Sequence, residues 1–232
     1  MHGDCLDQMT RIPCGSVDAV VADPPYGVTQ CKWDSVIPLP QMWVELDRIT
    51  KPNGAMVFTA SQPFTTTLIS SNIKNFKYTL VWEKNAAKGF LNANRMPLRA
   101  HEDICVFYRK PPTYNPQMVK GHPYIKKEHP SSNRQLYGKI TKITSIHNVS
   151  GDRHPRSVIK IGKRNNETSH PTQKPIELME WLIKTYTNPG ETVLDFTMGS
   201  GSTGVAAIGT GRNFIGIERD DEFFQLATDR IK

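Results

Sequence analysis

The chain has little of what would staple, anchor or metallate a protein. Among its 232 residues are four cysteines, at 5, 14, 31 and 105, with no CxxC pair. Neither a zinc site nor a disulfide framework is indicated, and reduced thiols in a cytoplasmic setting are the plain reading. Apart from His101-Glu102, which could form a metal or acid/base pair, no His/Asp/Glu spacing supports a metal either. No apolar run approaches the ~18 residues of a membrane-spanning helix. The opening Met1-His2-Gly3-Asp4-Cys5 lacks the basic-then-apolar order of a signal peptide. With 38% hydrophobic residues the chain is too apolar to be disordered. Its length suits one sizeable domain, or one domain carrying an insertion.

Acids are scarce in one stretch above all. From Arg109 to Arg164 there are 13 lysines and arginines against two acids, Glu128 and Asp152, a local net of +11, so the rest carries −4 of the overall +7. A basic segment on a mildly acidic body points to a polyanion as its partner, with a solvated basic loop as the alternative. Periodicity also fades there: between Pro111 and Glu167 prolines, glycines, asparagines and lysines interleave with Tyr114, Tyr124 and Tyr137. A long irregular stretch in a compact chain is usually functional or disordered. It reads as a basic insertion over 109–168 that divides one domain into halves 1–108 and 169–232.

Outside the insertion, strands alternate with helices. Ser16–Ala22 is a short β-branched run stopped by prolines. Pro40–Thr50 carries Trp43, Leu46 and Ile49 at helical spacing, and Gly54–Ala60 is a second buried strand. A helix over Pro63–Ser70 and strands over Tyr78–Trp82 and Asp103–Tyr108 follow. After His170 come a helix over Pro175–Thr187, a strand over Thr192–Leu194 and a glycine loop. A helix over Ser202–Ile208, a strand over Asn213–Ile217 and a helix over Glu222–Ile231 complete the chain. Such alternation predicts an α/β domain with a mostly parallel sheet covered on both faces.

Two constellations carry chemistry. In the first, Asp195 opens the loop Phe196-Thr197-Met198-Gly199-Ser200-Gly201, whose glycines allow a tight turn and close approach to a ligand. The G-x-G-x-x-G spacing is weak alone, but Glu218 stands 17 residues past Gly201, at the end of the next strand, where an acid can hold ribose hydroxyls. A carboxylate at 195 suits an ammonium-bearing ligand better than a pyrophosphate. S-adenosylmethionine has both a ribose and an α-amino group; a dinucleotide is the alternative. In the second, Asp23-Pro24-Pro25-Tyr26 follows the first strand. An exocyclic amino nitrogen is a poor nucleophile because its lone pair is delocalised into the ring. Acceptors aimed at its protons, the Asp23 carboxylate and the Pro24 carbonyl, favour the pyramidal form that attacks a methyl group. Pro25 offers no competing N–H, and Tyr26 a face on which an extruded base can stack. The bland alternative is a proline turn with a packing aromatic.

Asp23–Tyr26 resembles the DPPY signature of amino-group DNA methyltransferases, which make N6-methyladenine or N4-methylcytosine. Leu194–Gly201 resembles their adenosylmethionine loop, and His170-Pro171-Thr172-Gln173-Lys174-Pro175 the segment before it in the β group, where the catalytic motif comes first. The wording around His101-Glu102-Asp103 and Tyr114-Asn115-Pro116 resembles bacteriophage-type adenine methyltransferases. The resemblance spans nearly all the chain except the basic middle. It implies a circularly permuted Rossmann-like methyltransferase fold with a seven-stranded sheet. Asp23, Pro24, Pro25 and Tyr26 would then hold the target base. Asp195, Thr197, Gly199, Ser200 and Gly201 would hold the methionine portion, and Glu218 the ribose. Asp4 and Cys5, in a Gly-Asp-Cys turn, would lie at the adenine ring, and Thr172 and Lys174 would close over the methionine carboxylate. Phe196-Thr197 departs from the family's usual Asp-Pro-Phe, which questions aromatic packing on the cofactor. Only three residues precede Asp4, little of the strand expected there, so a truncated start is one expectation.

The implied reaction moves a methyl group from S-adenosylmethionine to adenine N6 in flipped-out DNA. Lys126, Lys127, Arg134, Arg153 and Arg156 of the insertion would contact phosphates. The alternatives are N4-cytosine methylation, methylation of RNA or protein amides, and a catalytically silent DNA-binding relic. The short insertion implies a short or relaxed site, or help from a second subunit in a homodimer, and the family allows a restriction endonuclease partner. His101-Glu102 reads as a hydrogen-bonded structural pair and His170 as a loop-fixing residue. The Asn92–Arg95 and Arg99 stretch is open between a DNA-facing loop and a plain connection.

Overall fold

A computed structural model of the protein describes residues 1–27, 34–127, 145–162 and 173–232. His170, Thr172 and Arg134 lie outside the described residues. The elements are α1 (Cys5–Met9), β1 (Val17–Ala22), α2 (Leu39–Ile49), β2 (Thr50–Ala60), α3 (Phe64–Ser71), β3 (Phe76–Lys88), β4 (Arg99–Phe107), β5 (Val119–Lys120), β6 (Tyr124–Lys127), β7 (Ser145–Asn148), β8 (Asp152–Arg153), β9 (Val158–Lys160), α4 (Ile176–Tyr186), β10 (Thr192–Asp195), α5 (Ser202–Gly209), β11 (Asn213–Gly216) and α6 (Asp221–Ile231). No described helix is long and apolar enough to cross a membrane.

The larger of two compact units comprises Met1–Asn115 and Ser157–Lys232. Its seven-stranded sheet has the order β11-β10-β1-β2-β4-β3-β9, and only β4 runs against the rest. Because successive strand residues face opposite ways, each central strand supplies both cores. Val20, Met56, Phe58, Cys105, Phe107 and Leu194 face one way, with Met9, Met42, Trp43 and Leu46 of α1 and α2. Val21, Val57, Ile104, Val106 and Val193 face the other, with Leu178, Leu182 and Ile183 of α4 and Ala206 of α5. Each fully buried side chain of this size contributes about 1.5–3 kcal/mol. Two such layers explain why β1 and β2 carry consecutive buried residues, Ala19–Ala22 and Ala55–Ala60, rather than alternating ones.

The structure departs from the sequence reading at several elements. The third strand runs from Phe76 to Lys88, well past Trp82, because pairing with β4 continues to Lys88 opposite Arg99. The expected Gly-Asp-Cys turn is instead a helix start: Asp4 caps α1 by accepting the Leu6 N–H at 2.9 Å. The residues before it add one bridge, His2 to Glu218, beyond β11. Within the segment 109–168, Val158–Lys160 is an edge strand of the main sheet.

The second compact unit spans Pro116–Arg156. It is built from two antiparallel pairs, β5 with β8 and β6 with β7. Arg153 braces it: the guanidinium lies 4.5 Å from the Tyr124 ring centroid and donates to the carbonyls of His122 and Gly151. Arg153, one of the residues expected to meet phosphates, is thus held within its own unit. Arg156 is exposed in the same unit.

Candidate active site

Parallel neighbours β1 and β10 end at the same edge of the sheet, so the loops that leave them meet. Asp23 is the first residue after β1, and Asp195 is the last of β10. Ligands of open α/β sheets bind at such carboxyl ends, where the winding direction switches. Here Asp23, Pro24, Pro25 and Tyr26 line one cavity of about 270 Å³ together with Asp4, Cys5, Lys174, Asp195, Thr197, Gly199, Ser200 and Glu218.

Asp23 is gripped on both oxygens. Its Oδ1 accepts from the Tyr26 hydroxyl at 2.7 Å and from the Thr59 hydroxyl, and its Oδ2 accepts from the Lys174 ammonium at 2.6 Å. Burial, then the Asp23 charge, pushes the Tyr26 hydroxyl far above its ordinary pKa, so it remains a donor. The Tyr26 ring stacks on Phe64, centroids 5.3 Å apart and 22° from parallel, which fixes its plane while it lines the cavity. Lys174 is buried, and its Nζ lies 3.3 Å from Glu102 Oε2. Burial alone would lower its pKa, but Asp23 and Glu102 outweigh it and hold the ammonium above its ordinary value. Lys174 thus braces the Asp23 turn and lines the same cavity as the glycine loop.

Glu102 was expected to pair with His101, and this is corrected. Neighbours on a strand point to opposite faces, and Glu102 of β4 instead takes the ammonium of Lys84 across the β3–β4 pair and faces Lys174. Thr59, Lys84 and Glu102 are the supports that sequence reading missed. Their signal was register: only the pairing of β3, β4 and β2 brings them to Asp23.

The glycine loop is built for backbone approach. Gly199 and Gly201 adopt φ of +50° and +82°, and a Cβ at Gly201 would meet Ala227 at 3.0 Å. Asp195 accepts the Thr197 N–H at 3.1 Å and the Thr203 hydroxyl. Burial pushes its carboxyl up to about 7; the two hydrogen bonds oppose this, and the charges of Asp23 and Glu218 reinforce it. Glu218 accepts the Gly199 N–H at 2.9 Å on Oε2, and the Arg219 and Asp220 N–H groups, each at 2.9 Å, on Oε1. Thr197 Oγ1 and Ser202 Oγ are buried with no hydrogen-bond partner among the described residues. A carboxylate that would gain from a cation, an acid at the strand end and two unsatisfied hydroxyls fit a ligand with an ammonium group and a ribose. Cys5 is no thiolate: burial, then Asp4, pushes it up to about 12. Phe196 packs against Phe58 at 6.0 Å and still lines the cavity, so an aromatic is retained at the loop.

A family model described as DNA methylase, that of the N6/N4 methyltransferases, matches residues 17–229. DNA adenine methyltransferase YhdJ of Escherichia coli (strain K12) is 30% identical, the match covering 100% of this chain and 81% of that protein. Type II methyltransferase M1.MboII of Moraxella bovis is 28% identical, covering 97% and 92%. A crystal structure of an M1.HpyAVI–SAM complex superposes with a TM-score of 0.66 at 28% identity, covering 99% of this chain and 98% of that one. The cytosine-N4-specific PvuII DNA methyltransferase shares the fold, at TM-score 0.70 and 16% identity over 100% and 85% of the two chains.

Proposed function

The chain belongs to the DNA methylase family of N6-adenine and N4-cytosine methyltransferases, and from that premise we propose that it methylates the exocyclic N6 of adenine in DNA, using S-adenosylmethionine. The observation that carries this reading is the shared cavity of Asp23 and Asp195, although 171 residues of chain separate them. Adenine is favoured by Asp rather than Ser at the head of the tetrapeptide, and by the adenine-named relative at 30% identity.

When bound, S-adenosylmethionine supplies an electrophilic methyl group on its sulfonium. Asp195, Thr197 and the Gly199–Gly201 backbone hold its methionine portion, Glu218 its ribose, and Asp4 with Cys5 its adenine end. Asp23 and the Pro24 carbonyl accept hydrogen bonds from the target amino group, which localises the nitrogen lone pair for attack. Tyr26, held in plane by Phe64, stacks on the flipped base. Lys174, Thr59 and the Tyr26 hydroxyl hold the Asp23 carboxylate in place, so little reorganisation remains at the moment of transfer. The proton leaves to water once the methyl has moved. The order of elements, with the base-binding turn before the cofactor loop, is read as the circularly permuted arrangement of the β group.

Incubation of unmethylated plasmid with labelled S-adenosylmethionine, followed by nucleoside mass spectrometry, tests the reading. N6-methyldeoxyadenosine is expected; N4-methyldeoxycytidine alone, or label in RNA but not DNA, would overturn it. Sequencing that reports modified bases then maps the site.

A further inference from the structure

The β3–β4 connection ends in an apolar tip. A single 3₁₀ turn, Phe90–Asn92, is entered through Gly89 at φ +96°. Leu91 on it is 98% exposed and Phe90 82%, and Met96 and Leu98 follow at 55% and 41%. Residues 84–101 contain Lys84, Lys88, Arg95 and Arg99 and no acid. Scattered exposed hydrophobics are ordinary, but an apolar pair at the end of a hairpin with a basic rim marks an interaction surface.

The base of this hairpin is tied into the site. Lys84 pairs with Glu102, Glu102 faces Lys174, and Lys174 holds Asp23. Lys88 itself lines the cavity with Asp23 and Tyr26. Phe90 follows Lys88 by two residues, so the tip begins beside the cavity into which a target base would be drawn. Extruding a paired base leaves a gap, and apolar side chains inserted between base steps are how proteins hold an unstacked duplex.

We propose that Phe90 and Leu91 form a wedge that enters duplex DNA beside the target base and fills the space it vacates, with Lys88, Arg95 and Arg99 on the flanking phosphates. The inference rests on the reading that this chain methylates a base in duplex DNA. The test is the double variant Phe90→Ser, Leu91→Ser on duplexes carrying the mapped site. Both side chains are exposed, so the thermal melt and S-adenosylmethionine affinity stay those of the wild type. On matched duplex, methylation falls at least about tenfold, since extrusion loses its prop. With an abasic nucleotide opposite the target the pairing cost is already removed, and the deficit shrinks to about threefold or less. Wild-type rates on matched duplex, or the same loss on both substrates, overturn the wedge. So does a change in oligomeric state with rates unaltered, which would make the tip a self-association surface. Wild-type protein silent on both substrates overturns the parent reading and the wedge with it, and is distinguished because the defect precedes any substitution.

Discussion

At the scale of single residues the two aspartates differ in what surrounds them, and the difference predicts their variants. Asp23 has hydroxyls on one oxygen and an ammonium on the other. Removing its carboxylate deletes an acceptor used chiefly as the amino group reacts, so Asp23→Ala should lower kcat by about a hundredfold or more and leave DNA affinity within about threefold. Near-wild-type turnover would remove Asp23 from the mechanism. Asp195 is buried, with a carboxyl raised to about 7 from an ordinary 3.8. A raised carboxyl favours the folded state when protonated, so its contribution is complete below 3.8 and is lost as pH rises through about 7. Asp195→Asn should therefore melt higher than the wild type at pH 8, with a clearly smaller gain at pH 5, in the absence of cofactor. Cofactor affinity of the wild type should fall about tenfold per pH unit below 7, because the ammonium needs the charged form. Equal melting differences at both pH values would refute the assignment.

At the scale of elements, the glycine loop shows what a strand end can hold and what it cannot tolerate. Gly201 combines a left-handed φ with contact on α6 at Ala227. Gly201→Ala should cost about 1–2 kcal/mol from the backbone alone, a melting loss of a few degrees for a chain this size. It should also weaken S-adenosylmethionine binding; calorimetry and a thermal melt check both, and an unchanged melt would show that the loop is not under this constraint. This loop, the proline turn and the buried runs of β1, β2 and β10 were legible in the sequence because each is local: a few residues carry both the conformation and the chemistry. The supports of Asp23 were not. Thr59 and Glu102 look like ordinary strand residues until antiparallel register sets β4 beside β2, and Lys174 faces Asp23 across about 150 residues of chain. His101-Glu102 misled for the same reason, since adjacency in sequence is opposition on a strand. Lys174→Gln tests these supports as a unit. Leaving Asp23 and Glu102 without their shared cation should lower kcat about tenfold while the KM for cofactor moves less than about twofold, and a change confined to the cofactor KM would return Lys174 to the methionine carboxylate.

For the molecule as a whole, charge is divided as labour is proposed to be. The acidic remainder of the chain holds the cavity, while the +11 segment from Arg109 to Arg164 is where a polyanion would be met. Counterion release makes that proposal quantitative: each phosphate neutralised contributes about −0.9 to the slope of log affinity against log salt. Lys126 and Lys127 on β6, with Arg134, are the cations proposed for this contact, while Arg153 packs on Tyr124 and bonds its own unit's backbone. Reversing Lys126, Lys127 and Arg134 to glutamate should weaken DNA binding and flatten the slope by about two to three units. S-adenosylmethionine affinity should stay unchanged, because other residues are proposed to hold the cofactor. Fluorescence anisotropy with a duplex over a salt series gives the slope directly. A parallel shift of the line with the slope intact would move phosphate contact off this segment, and the rim of the β3–β4 hairpin, with Lys88, Arg95 and Arg99, would then be the next surface to reverse.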